Sequence, residues 1–185
     1  MALGLALLPM SLMAQNIDFA DTKILADQGD AEAQYLLGTQ YYYGHGLIQD
    51  HDLAFKYYQM SAVQGHASAQ YSLGALYTVG HGIDLNDKMA FKYYQLAANQ
   101  GDPMAQHNLG LIYAQGKVVP ENLVIAYKWF FLARENQEYG HKFKAFVDKF
   151  EGFMPEKVKV EGKDLAKSFK PKSREESRVI LSDEK

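Results

Sequence analysis

Apolar positions recur along most of the chain with helical spacing. Ala33, Leu37 and Tyr41 fall at i, i+4 and i+8 and so share one stripe of a helix. Ala54, Tyr58 and Ala62 form a second stripe after a loop that holds Gly44 and Gly46. The two stripes then return. Gly29, Gly65 and Gly101 lie 36 residues apart, and the same step relates Leu37-Gly38, Leu73-Gly74 and Leu109-Gly110, then Tyr41, Tyr77 and Tyr113. Laid without gaps on 65–100, residues 29–64 give 19 identities in 36 positions. A helix pair of this length cannot bury its apolar face alone, so stacking must complete the core.

The punctuation agrees. Asp50, Asn86 and Asn122 hold one register just ahead of the second helix, where a short side-chain oxygen can cap free N–H groups. Asp102-Pro103 sets a cap before a proline at the first helical position. Gly44 and Gly80 follow the first helix, and Gly65 and Gly101 the second, where left-handed backbone is wanted. Gly38, Gly74 and Gly110 sit inside a helix at a cost of about 1 kcal/mol each relative to alanine. A cost repeated at fixed register points to close helix approach, with Ala54 and Ala62 expected on the facing surface.

The run A-x-x-x-L-G-x-x-Y-x-x-G-x-G, a linker carrying Asp or Asn, then A-x-x-Y-Y-x-x-x-A-x-x-G resembles the Sel-1-like repeat, a relative of the tetratricopeptide repeat. Ala33 to Gly65 and Ala69 to Gly101 match it throughout. In the third unit Val118 replaces a loop glycine and Arg134 replaces the alanine of Ala62 and Ala98. The resemblance implies an all-α fold, a right-handed α-α superhelix of helix pairs with a concave inner face. It implies a non-catalytic adaptor that binds a protein or peptide, exported in bacteria as many relatives are. A cysteine-rich branch of the family has been linked to penicillin binding, which gives the alternative of an envelope enzyme or cell-wall-fragment binder. This chain has no cysteine.

The units are expected near 29–64, 65–100 and 101–136, within an array over 15–137 that opens with a degenerate half-unit at 17–29. Met1 to Ala14 carries no charge and is too short to span a bilayer, which takes roughly 20 apolar residues. It reads as the apolar part of a secretory signal ending at Ala14, so the mature chain is expected in the periplasm or at the cell surface with no membrane span. Phe143, Phe146, Val147 and Phe150 fall on one helix face, and Met154-Pro155-Glu156 opens another helix. Capping helices are therefore expected over 138–170 and a disordered tail over 171–185. A monomer is expected rather than an oligomer, the alternative being self-association through an uncapped N-terminal end.

The net charge is −3, which offers no basic excess for nucleic acid. No Gly-x-Ser-x-Gly elbow and no His-Glu-x-x-His helix occurs. His45 and His81 sit in Gly-His-Gly turns one unit apart, about 10 Å at helix-packing distance, too far to share one zinc ion. No catalytic residue, metal site or cofactor is expected. The repeat accounts for Tyr41, Tyr58, Tyr77 and Tyr94 as core. Positions that differ between units are free of that duty, and aromatic side chains on a rigid concave face make good binding anchors. Tyr35, Tyr42, Tyr43, Tyr71 and His107 are the candidates.

Overall fold

The computed structural model describes residues 19–182, without the side chains of 179–182. The expected signal over Met1–Ala14 lies outside the described residues. Among the described residues ten helices follow one another: α1 (Phe19–Asp27), α2 (Ala31–Tyr43), α3 (His51–Val63), α4 (Ala67–Val79), α5 (Asp87–Asn99), α6 (Pro103–Gln115), α7 (Leu123–Glu135), α8 (Gly140–Glu151), α9 (Glu156–Lys167) and α10 (Arg174–Ser182). Helices α2/α3, α4/α5 and α6/α7 are the three pairs. Each helix of a pair packs on its mate, and each second helix packs on the first helix of the next pair.

The helix starts follow from the caps. Asp30, Asp50, Asn86, Asp102 and Asn122 each accept a hydrogen bond from the backbone N–H three residues on, at 2.7–3.0 Å. His66 does the same through Nδ1 at 3.2 Å to the Ala69 N–H. Each first helix ends at a glycine in the left-handed region, Gly44, Gly80 or Gly116.

The internal glycines do mark close approach, but the facing group is an aromatic ring. A Cβ on Gly38, Gly74 or Gly110 would stand 2.8, 2.7 or 2.6 Å from a ring carbon of Tyr58, Tyr94 or Phe130. Ala54 supplies only its carbonyl oxygen, 3.3 Å from the same point over Gly38. Each ring can approach its partner helix this closely because the glycine carries no side chain there.

Buried glutamines tie the units together. Gln34, Gln70 and Gln106 each donate through Nε2 to the carbonyl of Ala26, Ala62 or Ala98 at the end of the preceding helix, at 3.1–3.3 Å. Gln64 and Gln100 then donate to the Oε1 atoms of Gln34 and Gln70 at 2.8 and 2.7 Å. Every amide in the ladder meets a partner, so burial carries no desolvation debt.

Helices α8 and α9 both pack on α7. Arg134, which breaks the small-residue pattern, lies 2.9 Å from Glu151 and 3.6 Å from Asp148 of α8, and its guanidinium stands over the Phe131 ring at 4.8 Å. Tyr127 donates to the same Glu151. Burial alone would raise the Glu151 pKa; the Tyr127 and Arg134 contacts outweigh it and hold the carboxyl below its ordinary range.

The tail differs from expectation. Where disorder is expected over 171–185, α10 occupies Arg174–Ser182. Its start is a capping box: the Ser173 N–H donates to Glu176 Oε2 at 2.7 Å and the Glu176 N–H to Ser173 Oγ at 3.2 Å. Composition hides that local signal.

Candidate interaction face

The first helices of successive units leave a cleft between them. In the first cleft Tyr42 and Tyr43 come from the end of α2, and Tyr71, Ser72, Ala75 and Leu76 from α4. Tyr58 of α3 forms the floor, and the cavity is about 240 Å³. The Tyr58 hydroxyl donates to Thr39 Oγ1 at 3.2 Å, and burial pushes its pKa up to about 12, so it stays a neutral phenol. Tyr71 packs against Tyr94 at 5.9 Å and is likewise raised to about 12 by burial. Tyr43 is 60% exposed, set edge-on to Tyr42 at 4.9 Å and stacked on His45 at 5.3 Å.

The second cleft repeats the first one unit on, with other side chains. Thr78 takes the place of Tyr42, Asn108 that of Ser72, Leu111 that of Ala75 and Ile112 that of Leu76, over a floor formed by Tyr94. Asp87 and Lys117 stand at its rim, and the cavity is about 200 Å³. The first cleft is therefore an aromatic slot with hydroxyls, and the second an aliphatic slot with a charge of each sign.

The five sequence candidates separate. Tyr42, Tyr43 and Tyr71 line one cleft together. Tyr35 packs on the Tyr58 floor at 5.9 Å and stacks on His66 at 5.0 Å, so it buttresses the slot from behind. His107 is not on the open face. Helix α8 covers it, with Phe143 stacked at 5.0 Å and Phe146 edge-on at 4.8 Å. Burial pushes its pKa below the ordinary value, and its Nδ1 is enclosed without a partner. The apolar stripe of α8 announced a cap, but the sequence does not say which unit face the cap would cover.

A histidine contact also escaped the sequence. His51, at the start of α3, stacks on His81 of the next unit at 4.8 Å, and Tyr42 Oη lies 3.3 Å from His81 Nδ1. At the following interface the same two positions carry Asp87 and Lys117. A shift of 36 residues reveals the exchange, yet nothing in the sequence brings positions 51 and 81 together. Among the described residues no group of three or more histidine, aspartate or glutamate side chains is placed to hold a metal ion, and no helix is long and apolar enough to cross a membrane.

The arrangement has solved counterparts. A Sel1 repeat protein from Oxalobacter formigenes shares 35% identity over 69% of this chain and 98% of its own, with a TM-score of 0.60. A protective antigen present in uropathogenic Escherichia coli strains, c5321, displays an SLR fold; it shares 27% identity over 90% of this chain but 35% of its own length, with a TM-score of 0.70. No curated protein matches. The model of the Sel1 repeat matches three times, at 31–66, 67–102 and 103–137, each starting at the first helix of a pair described above. Proteins built from these repeats are generally non-catalytic scaffolds for protein interactions. With three repeats, the α-α superhelix of helix pairs and a relative spanned almost end to end, the chain belongs to the Sel1 repeat family.

Proposed function

We propose that the protein is an exported bacterial adaptor, a monomer, that holds a peptide or protein partner in the clefts between its first helices. The observation that carries this reading is the convergence of Tyr42, Tyr43 and Tyr71 on one cleft. Each is an aromatic side chain with a hydroxyl on a helix fixed by the core behind it, so little entropy is lost when a partner docks. The uncharged apolar run Met1–Ala14 supports export.

The test is capture in the native cell by a photo-reactive group placed beside the cleft. The double change Tyr42→Ala, Tyr43→Ala is expected to cut capture of the partner by about 30-fold or more, the effect of losing a hot spot worth about 2 kcal/mol. Circular dichroism must show the helices intact. Undiminished capture by that variant refutes the site. Mass spectrometry of the exported protein should place its first residue at Gln15; a chain retained inside the cell with Met1 in place refutes export.

A further inference from the structure

The C-terminal segment does not leave the molecule after α9. It turns back and runs along the row of turns that link one unit to the next. Phe169 packs edge-on against Trp129 of α7 at 5.5 Å. Pro171 reaches the Gly101 turn, and the Lys172 N–H donates to the carbonyl of Asn99, the last residue of α5, at 2.8 Å. Arg174 reaches the Gly65 turn, where its Nε donates to the Gln64 carbonyl just past α3, at 3.2 Å. From Pro171 to Arg174, three residues of the segment, the contacts advance by one 36-residue unit, from the Gly101 turn to the Gly65 turn, and an extended chain covers about 10 Å in three residues.

The charge also matches. Helix C-termini carry partial negative charge and favour cations. None of α1, α3 and α5, the helices that end on that row, has a basic residue in its last turn. The returning segment supplies Lys170, Lys172 and Arg174 along that row. Between Phe169 and Ser177, which is 1% exposed, the stretch Pro171, Lys172, Ser173 and Arg174 is exposed.

We propose that the row of inter-unit turns is a docking track for an extended basic peptide with Pro-x-x-Arg spacing, and that the chain's own C-terminal segment occupies it as a displaceable latch. The track is separate from the tyrosine clefts, so the protein has two docking surfaces. The latch is tethered by α9, so it competes at an effective concentration of about 1 mM, and only a partner that overcomes this enters.

The experiment uses the full chain and an N-acetylated synthetic peptide of residues 168–182, with amide hydrogen exchange at Lys172 as the readout. Peptide at about 1 mM and above is expected to speed exchange of the chain's own Lys172 amide by tenfold or more, as the latch is released. The change Arg174→Ala in the chain should lower the peptide concentration needed by about tenfold, and the same change in the peptide should raise it by as much, the loss of one charged hydrogen bond. Gly65→Ala and Gly101→Ala both force alanine into left-handed backbone, at φ +82° and +98°. Only the first drives a Cβ into the Arg174 carbonyl, whereas the second meets Pro171 at an ordinary 3.9 Å. Gly65→Ala alone should therefore release the latch. If Gly65→Ala unfolds the chain, the Arg174→Ala arms decide the matter, since that side chain is exposed. Exchange at Lys172 that ignores the peptide up to about 10 mM, or that responds equally to a scrambled sequence, overturns the proposal.

Discussion

Replacing Gly74 by alanine tests the packing principle of the repeat, because two known effects oppose each other there. Alanine favours a helix over glycine by about 1 kcal/mol, so propensity alone predicts a more stable protein. The added Cβ, however, would stand 2.7 Å from both Cδ1 and Cε1 of Tyr94, closer than real carbon contacts. The ring cannot move out of the way: it is 4% exposed, and its hydroxyl is 3.1 Å from Thr78 Oγ1. Overpacking a filled core costs about 1–3 kcal/mol as usually measured, and a clash with two ring atoms belongs at the upper end. The net expectation is a loss of about 1–2 kcal/mol, or a fall in urea midpoint of about 0.5–1 M. Trp129, the only tryptophan and 5% exposed, reports the unfolding by fluorescence. The double variant Gly74→Ala, Tyr94→Ala completes the cycle. Once the ring is gone the clash is gone, so the double variant should be more stable than Tyr94→Ala alone by about 1 kcal/mol. If Gly74→Ala by itself proves as stable as the wild type, close approach is not why a glycine stands there.

Three further outcomes are expected. Gln70→Ala removes the donor to the Ala62 carbonyl and the acceptor for Gln100, and should cost about 1–3 kcal/mol in a urea melt, more than any exposed glutamine. Glu151 has a folded pKa below its ordinary value of 4.5, so its stabilisation is present above about pH 4.5 and lost as pH falls through the folded value; Glu151→Gln should flatten the stability profile between about pH 5 and 3, and an unchanged profile would count against the Arg134 and Tyr127 contacts. His107 is a base whose pKa burial depresses below 6.5, so the unfolded chain takes up a proton that the fold excludes; stability should fall as pH drops below about 6.5, and His107→Leu should remove that part of the slope.

Much of the fold is legible because one packing solution is written three times. Caps, turn glycines and apolar stripes are local, and each recurrence corroborates the last. The ring over Gly38 was in plain view as well, since Gly38 and Tyr58, Gly74 and Tyr94, and Gly110 and Phe130 keep a constant offset of 20 residues. The offset alone does not reveal the contact, because a small residue in a helix is equally consistent with a small residue facing it. The glutamine ladder repeats just as faithfully, but a polar side chain reads as exposed unless its partners are known. Two features had no second copy to expose them. The cover over His107 and the return of the C-terminal segment each join distant parts of the chain once. Arg174 lies 110 residues from the carbonyl it meets, and no periodicity reaches across that gap.

Several of the differences between units fall together in space. Tyr42 gives way to Thr78, His51 to Asp87, and His81 to Lys117, and all of these positions lie at the two clefts or on the loops beside them. Scaffold demands cannot explain such exchanges, because the equivalent position one unit away fills the same space with different chemistry. Packing needs the Tyr58 and Tyr94 floors, and there the units agree. It does not need a tyrosine at position 42 rather than a threonine, as position 78 shows. Exchanges occur on the second helices too, where Asp52 gives way to Lys88, Val63 to Asn99 and Gln95 to Phe131, so it is the chemistry gathered at the clefts, not the frequency of exchange, that sets them apart. The two unlike slots lie side by side, and an extended partner with an aromatic group in one and an aliphatic group in the next would read both at once.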